Sequence, residues 1–194
     1  MVEAFKKHLA KFGAVSESEE ALISTYFQLG SLRKKQTLLK EGSVCKYLYF
    51  VAQGCLRMFF VKDNGVEQTT HFAIENWWLA DYFSFLQQQP TEFNIQAVEP
   101  THLLAISYPN YERLLQQVPQ MEKYFRYIHQ RESAAAQRRI KYLYSLSKEE
   151  LYHSFNDSFP EFIQRVPQYL VASYLGITPE YLSELRKKLF LKPV

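Results

Sequence analysis

The sequence predicts an α+β protein: a roll of short antiparallel strands, one long helix, and a compact helical block at the end. Three observations carry this expectation. Between about residues 38 and 106, short β-prone runs alternate with turn signals. From Pro109 onward the apolar spacing turns helical. Residues 168–188 then have the spacing of a helix-turn-helix.

Taken in order, the first element is a short helix expected over residues 16–29. Ser16 followed by Glu19 fits a capping box, and Leu22, Ile23, Tyr26 and Phe27 form a helical stripe. The period then changes. Leu38-Leu39 and residues 47–51, 56–61, 66–74, 93–98 and 103–106 are β-prone. Glu41-Gly42-Ser43, Gln53-Gly54 and Asp63-Asn64-Gly65 separate them, and Asn-Gly supplies the positive φ angles of a tight hairpin. Many short strands at this spacing predict a closed roll rather than a parallel α/β sheet.

A helical segment over residues 110–117 ends at Val118-Pro119, because proline disfavours a helical residue before it. The next segment reaches Leu146 and carries Met121, Tyr124, Phe125, Ile128, Ala135, Ile140, Leu143 and Tyr144. At 1.5 Å per residue it would be roughly 40 Å long, more than one small roll can cover. Ala134-Ala135-Ala136 would admit a second helix closely, so the helix between Met121 and Leu146 is expected to dimerise, with an intramolecular core helix as the alternative that the same pattern allows. Residues 156–160 read as a turn. The expected domains are residues 1–118, 119–147 and 148–194.

The last block reads QYLVASYLGITPEYLSELRKK over residues 168–188. Two short helices crossing over a tight turn need a small residue at the crossing (Ala172) and a glycine in the turn (Gly176). Val171, Leu175, Ile177, Leu182 and Leu185 supply the shared apolar core. Thr178 and Pro179 open the second helix with a side-chain cap and a proline at its first position. The expected DNA-binding residues are those the core does not claim. Thr178, Ser183, Arg186, Lys187 and Lys188 are assigned to phosphates, and Glu180, Tyr181 and Glu184 to base edges.

Charge agrees with that assignment. The chain has 23 Lys and Arg against 20 Asp and Glu. From Arg165 onward there are five basic and two acidic residues, leaving 18 of each before it. The whole positive excess therefore lies in the last thirty residues, as a polyanion footprint requires. Cys45 and Cys55 lack a metal-ligand spacing. His71 and His102 are too isolated for a metal triad, and no nucleophilic triad or phosphate loop occurs, so no catalytic or metal site is expected. The N-terminus lacks the apolar core of a signal peptide, and no apolar run reaches membrane-spanning length. A soluble, cytoplasmic protein is expected.

With these residues in view, the sequence resembles the catabolite-activator (Crp/Fnr) family of bacterial transcription regulators over nearly its whole length. Gly42, Gly54 and Gly65 within LLKEGSVCKYLYFVAQGCLRMFFVKDNGVEQ match the turn glycines of that family's cyclic-nucleotide-binding β-roll. RVPQYLVASYLGITPEYLSELRKKL matches its DNA-binding end. The resemblance implies a double-stranded β-helix, or jelly roll, with an effector pocket, a homodimer, and a palindromic operator in duplex DNA. RNA polymerase is a candidate partner.

Departures from the family qualify the pocket. The Gly-Glu of its phosphate cassette falls on Ala80-Asp81, and the following arginine pair falls near Phe93-Asn94, where no arginine stands. A bidentate guanidinium is not replaceable by these residues, so cyclic AMP is not the expected effector. Ala80, Asp81, Tyr82, Phe83, Phe93 and Asn94 are the candidate pocket, either vacant or open to an unidentified, less anionic and more aromatic small molecule against Trp77, Trp78, Tyr82 and Phe83, with plain core packing of these aromatics as the alternative. No certain cofactor follows. Glu184 stands where the family often has arginine, which keeps open a ligand-binding module that signals through a protein partner with a degenerate helix-turn-helix.

Overall fold

The computed structural model describes residues 2–190, with side chains through Lys188. The elements run α1 (Val2–Leu9), a 3-10 turn (Ala10–Phe12), α2 (Glu17–Thr25), β1 (Phe27–Leu32), β2 (Thr37–Leu39), β3 (Tyr47–Gln53), β4 (Leu56–Val61), β5 (Glu67–Ala73) and β6 (Trp78–Leu79). They continue with α3 (Tyr82–Gln87), β7 (Asn94–Ala97), β8 (Thr101–Ser107), α4 (Tyr108–Gln117) and α5 (Pro119–Ser145). The last four are α6 (Lys148–Ser158), α7 (Pro160–Arg165), α8 (Gln168–Leu175) and α9 (Pro179–Phe190).

The strands form two four-stranded sheets, ordered β1-β8-β3-β6 and β2-β7-β4-β5. The α+β roll expected from the sequence is therefore present. Two local expectations are corrected. The helix expected to reach residue 29 ends at Thr25, and Phe27–Leu32 instead pairs antiparallel with β8, Phe27 opposite Ile106 and Leu32 opposite Thr101. Pairing with a strand far along the chain overrides the local helical spacing. Residues 156–158, expected in a turn, are helical; α6 continues to Ser158 and only Phe159 separates it from α7.

Contacts divide the chain into two compact units. One comprises the residues up to Val61 with Thr70–His129; the other comprises Lys62–Thr69 with the chain from Gln130. The first is built around aromatic rings. Phe5 of α1, 2% exposed, sits 5.0 Å from Phe27, 5.1 Å from Phe50 and 5.8 Å from Trp78. Burying such a ring contributes about 1.5–3 kcal/mol, which is why this short helix is held. Gly54 (φ 102°) lets the chain pass its neighbour: a Cβ there would lie 2.6 Å from the Pro100 carbonyl oxygen.

In the second unit, α6 to α9 enclose a smaller apolar centre. Tyr152, Ile163, Val171, Ala172, Leu182 and Leu185 are each 4% exposed or less. Ser147 caps α6 in a capping box with Glu150, so the helix starts immediately after α5 stops. Among the described residues no helix is long and apolar enough to cross a membrane.

Candidate nucleic-acid interface

The sequence of α8 and α9 forces a turn at Gly176. Its φ of 68° and ψ of 37° are left-handed, and its N–H bonds back to the carbonyls of Ala172 and Ser173. The Ile177 N–H returns to the Ala172 carbonyl at 3.1 Å, so two donors close the end of α8. Thr178 Oγ1 accepts from the Tyr181 N–H at 3.2 Å, and Pro179 takes the first helical position, where its missing N–H costs nothing. Ala172 is fully buried, which lets the two helices approach.

With Leu182 and Leu185 each 1% exposed, the opposite side of α9 is fixed toward solvent. Thr178, Glu180, Ser183, Glu184, Lys187 and Lys188 are exposed there, and Tyr181 and Arg186 are half-buried. All eight residues assigned to DNA thus keep a surface a ligand can reach. Gln168, Pro179, Leu182, Ser183, Arg186 and Lys187 line a cleft of about 290 Å³. Gln168 was not singled out by sequence reasoning. Its Nε2 donates to the Ile163 carbonyl at 2.9 Å, while its Oε1 is buried without a hydrogen-bond partner. Arg186 acts on the buried Tyr152 phenol, partly offsetting the upward pull of burial on its pKa.

The candidate effector residues are only partly brought together. Asp81 is 7% exposed and its carboxylate is committed. Oδ1 accepts from the N–H groups of Phe83 and Ser84 at 3.1 and 3.4 Å, and Oδ2 accepts the Thr91 hydroxyl at 2.6 Å. It therefore caps α3, a helix the sequence pattern did not announce, and fastens the segment before β7. Ala80 is buried as well. Tyr82 stands edge-on to His129 at 4.9 Å, and Phe93 lies 6.2 Å from Phe60. Asn94 Oδ1 accepts from the Glu41 N–H at 3.2 Å. Phe83, by contrast, is 70% exposed.

The carboxylate and hydroxyl nearest the cassette bond each other, and no arginine follows at Phe93-Asn94. A buried cation that the sequence reading passed over is Arg57, 4% exposed. It donates through Nη2 to Gln96 Oε1 at 2.8 Å and lies 4.0 Å above the Phe59 ring. By strand alternation it occupies the face of β4 opposite Leu56 and Met58, which belong to the apolar core.

On α5 beyond Gln130, Ala134, Ala135 and Ala136 are exposed, as are Ile140 (55%), Leu143 (41%) and Tyr144 (89%). Ala136, Ile140 and Leu143 follow each other at helical spacing and so share one side. Among the described residues no group of three or more His, Cys, Asp and Glu is placed to hold a metal.

Residues 29–118 match the family model of the cyclic nucleotide-binding domain. No curated protein sequence matches the chain significantly. Among solved structures the chain is similar to FixK2 from Bradyrhizobium japonicum, with a TM-score of 0.71 and 17% identity over 84% of each chain. It is similar to the regulator CLP of Xanthomonas campestris, described as responsive to c-di-GMP. There the TM-score is 0.73 with 15% identity, over 90% of this chain and 92% of that one. The catabolite activator protein of Thermus thermophilus gives a TM-score of 0.58 and 22% identity, over 96% of this chain and 91% of that one. At these identities the likeness is one of fold.

Proposed function

We propose that this chain, which has the fold of the Crp/Fnr regulators with a cyclic nucleotide-binding-type roll joined to a helix-turn-helix, is a homodimeric, DNA-binding transcription regulator. The observation that carries the reading is the α8–α9 pair. Its core residues are sealed, its turn closes on a left-handed glycine, and every residue left over on α9 through Lys188 faces solvent or lines the cleft beside Arg186 and Lys187. A helix so mounted can enter a major groove while flanking cations meet phosphates.

The exposed Ala136–Ile140–Leu143 side of α5 supports pairing with a second copy, since an apolar stripe left in water gains by being covered. Pairing would set the two recognition helices about one DNA turn apart. The division into an effector domain over residues 1–118, a dimer helix over 119–147 and a DNA-binding domain over 148–194 belongs to this reading. So do a cytoplasmic bacterial setting, RNA polymerase as a partner, and a small-molecule effector other than cyclic AMP.

The test is selection from a random duplex library at two salt concentrations, followed by sequencing. A palindrome enriched at both, with affinity falling as salt rises, is the expected result. Retention without sequence preference, or none, would overturn it in favour of signalling through a protein partner.

A further inference from the structure

A carboxylate brought up to duplex DNA is repelled by the phosphates, so on a reading surface it needs a donor to offset that repulsion. The helix α9 carries two. At 100° per residue Glu180 and Glu184 lie about 40° apart, on the side turned away from the buried Leu182 and Leu185. Both are exposed, and among the described residues neither makes a hydrogen bond or an ion pair. Lys188 follows Glu184 by four residues, the order in which a helical Glu–Lys pair forms best, yet the two are unpaired. Arg186 is half-buried and acts on Tyr152, and Lys187 lines the cleft beside Gln168. The acidic residues of α9 thus precede its cations, and Glu184 is not neutralised by any of them.

The major groove offers a carboxylate few donors. Guanine presents O6 and N7 there and thymine presents O4, all of them acceptors. Only the amines of adenine and cytosine donate. The adenine amine stands between two acceptors, its own N7 and the O4 of the paired thymine. The cytosine amine has an acceptor on one side only, the O6 of the paired guanine. A carboxylate is therefore held best by cytosine and turned away by guanine, a selection made partly by repulsion. Four residues of helix rise about 6 Å against about 3.4 Å for each base pair, so two such contacts fall one or two base pairs apart.

We propose that Glu184 is a specificity-determining residue that accepts a hydrogen bond from a cytosine amine, one or two base pairs from the amine met by Glu180. Each half-site of the operator then presents two cytosine amines to α9. The proposal rests on the DNA-binding reading above and deepens it by naming the bases that are read. Glu184 lowers affinity for duplex DNA in general and restores it only opposite an amine. Its side chain is free to do so, because the buried Val171, Leu175, Leu182 and Leu185 hold α8 and α9 together without it.

The unaltered full chain, Glu184→Arg and Glu184→Ala are each put through selection from a random duplex library. Kd is then read on the duplex that the unaltered chain enriches and on a fixed random-sequence duplex. Glu184→Arg is expected to exchange one of the two cytosines for guanine and to keep the rest of the palindrome. Glu184→Ala is expected to bind the enriched duplex about fivefold or more weakly, and the random duplex about twofold more tightly. N4-methylcytosine at the exchanged position, whose methyl replaces the amine hydrogen in the groove, should weaken the unaltered chain and leave Glu184→Ala unaffected. The same palindrome from all three proteins would overturn the proposal. So would a Glu184→Ala chain that binds both duplexes more tightly, the mark of a carboxylate that only repels. Failure of the unaltered chain to enrich any duplex overturns the DNA-binding reading itself and the base assignment with it, and it is seen before any variant is compared.

Discussion

The indole N–H of Trp78 donates to the phenol oxygen of Tyr124 at 2.7 Å, with both side chains buried. This bond fastens β6 to the first turns of α5. Tyr124→Phe keeps the ring in place and takes away the acceptor, leaving a buried donor unpaired. It is expected to destabilise the protein by about 1–3 kcal/mol. Urea unfolding followed by tryptophan fluorescence measures the change, and an unchanged midpoint would mean the bond contributes nothing.

The same burial makes stability sensitive to alkali. Burial raises the Cys45 thiol from 9.0 to about 11 and the Tyr111 phenol from 10.0 to about 12, and raises Tyr49 and Tyr124 as well. These groups keep their protons in the folded chain at pH values where the unfolded chain has released them. Their contribution is complete below about pH 9 and is lost as pH climbs through 11 and 12. The urea midpoint is therefore expected to be lower at pH 10.5 than at pH 8. A higher midpoint at pH 10.5 would contradict the assignment.

The Asp81 carboxylate fastens the start of α3 to the segment before β7. Asp81→Ala removes the cap of α3 and the acceptor of the Thr91 hydroxyl, at an expected cost of about 1–3 kcal/mol. Millimolar cyclic AMP should leave the melting temperature of the unaltered protein where it is, since binding to the folded state alone would raise it. A concentration-dependent rise would show that the cassette accepts the nucleotide after all.

On α9, Lys187 and Lys188 are exposed and lie on the side turned away from Leu182 and Leu185. Replacing both with alanine is expected to weaken binding to all duplexes alike and to flatten the salt dependence by about two units of slope. A changed sequence preference at unchanged slope would move these lysines from phosphates to bases.

Ile140→Glu places a charge in the exposed apolar stripe of α5. Ile140 is 55% exposed in the single chain, so helix content should hold by circular dichroism. Sedimentation equilibrium is expected to give twice the 23.0 kDa chain mass for the unaltered protein and a single chain mass for the variant. An unaltered protein that sediments as a single chain would refute pairing through this helix.

Much of this architecture was legible because local chemistry settles it. Asn64-Gly65 marks the β4–β5 turn, Ser16 and Glu19 start α2, and Leu182 and Leu185 lie inward because the spacing leaves them no other side. What escaped was decided by distant partners. Tyr26 and Phe27 look like one more helical turn until β8 is available to pair with Phe27. The short helix α3 is capped by Asp81, whose carboxylate is also held by the Thr91 hydroxyl ten residues on. The candidate interface shows the same division: the exposed side of α9 follows from its own spacing, whereas the bonds of Ser173 reach 104 and 106 residues back along the chain. Nothing within a helix-turn-helix motif indicates such a partner.

The ring of Phe5 has a consequence for biosynthesis. It is polymerised 119 residues before Tyr124, whose ring lies 6.0 Å from it in the finished molecule. At translation rates of about 5–20 residues per second, the last of the rings that cover Phe5 follows it by roughly 6–24 s. During that interval Phe5 and Leu9 are an apolar handle on a ribosome-bound nascent chain. The ring cluster around Phe5 is therefore complete only when α5 emerges, after the strands that supply Phe27, Phe50 and Trp78.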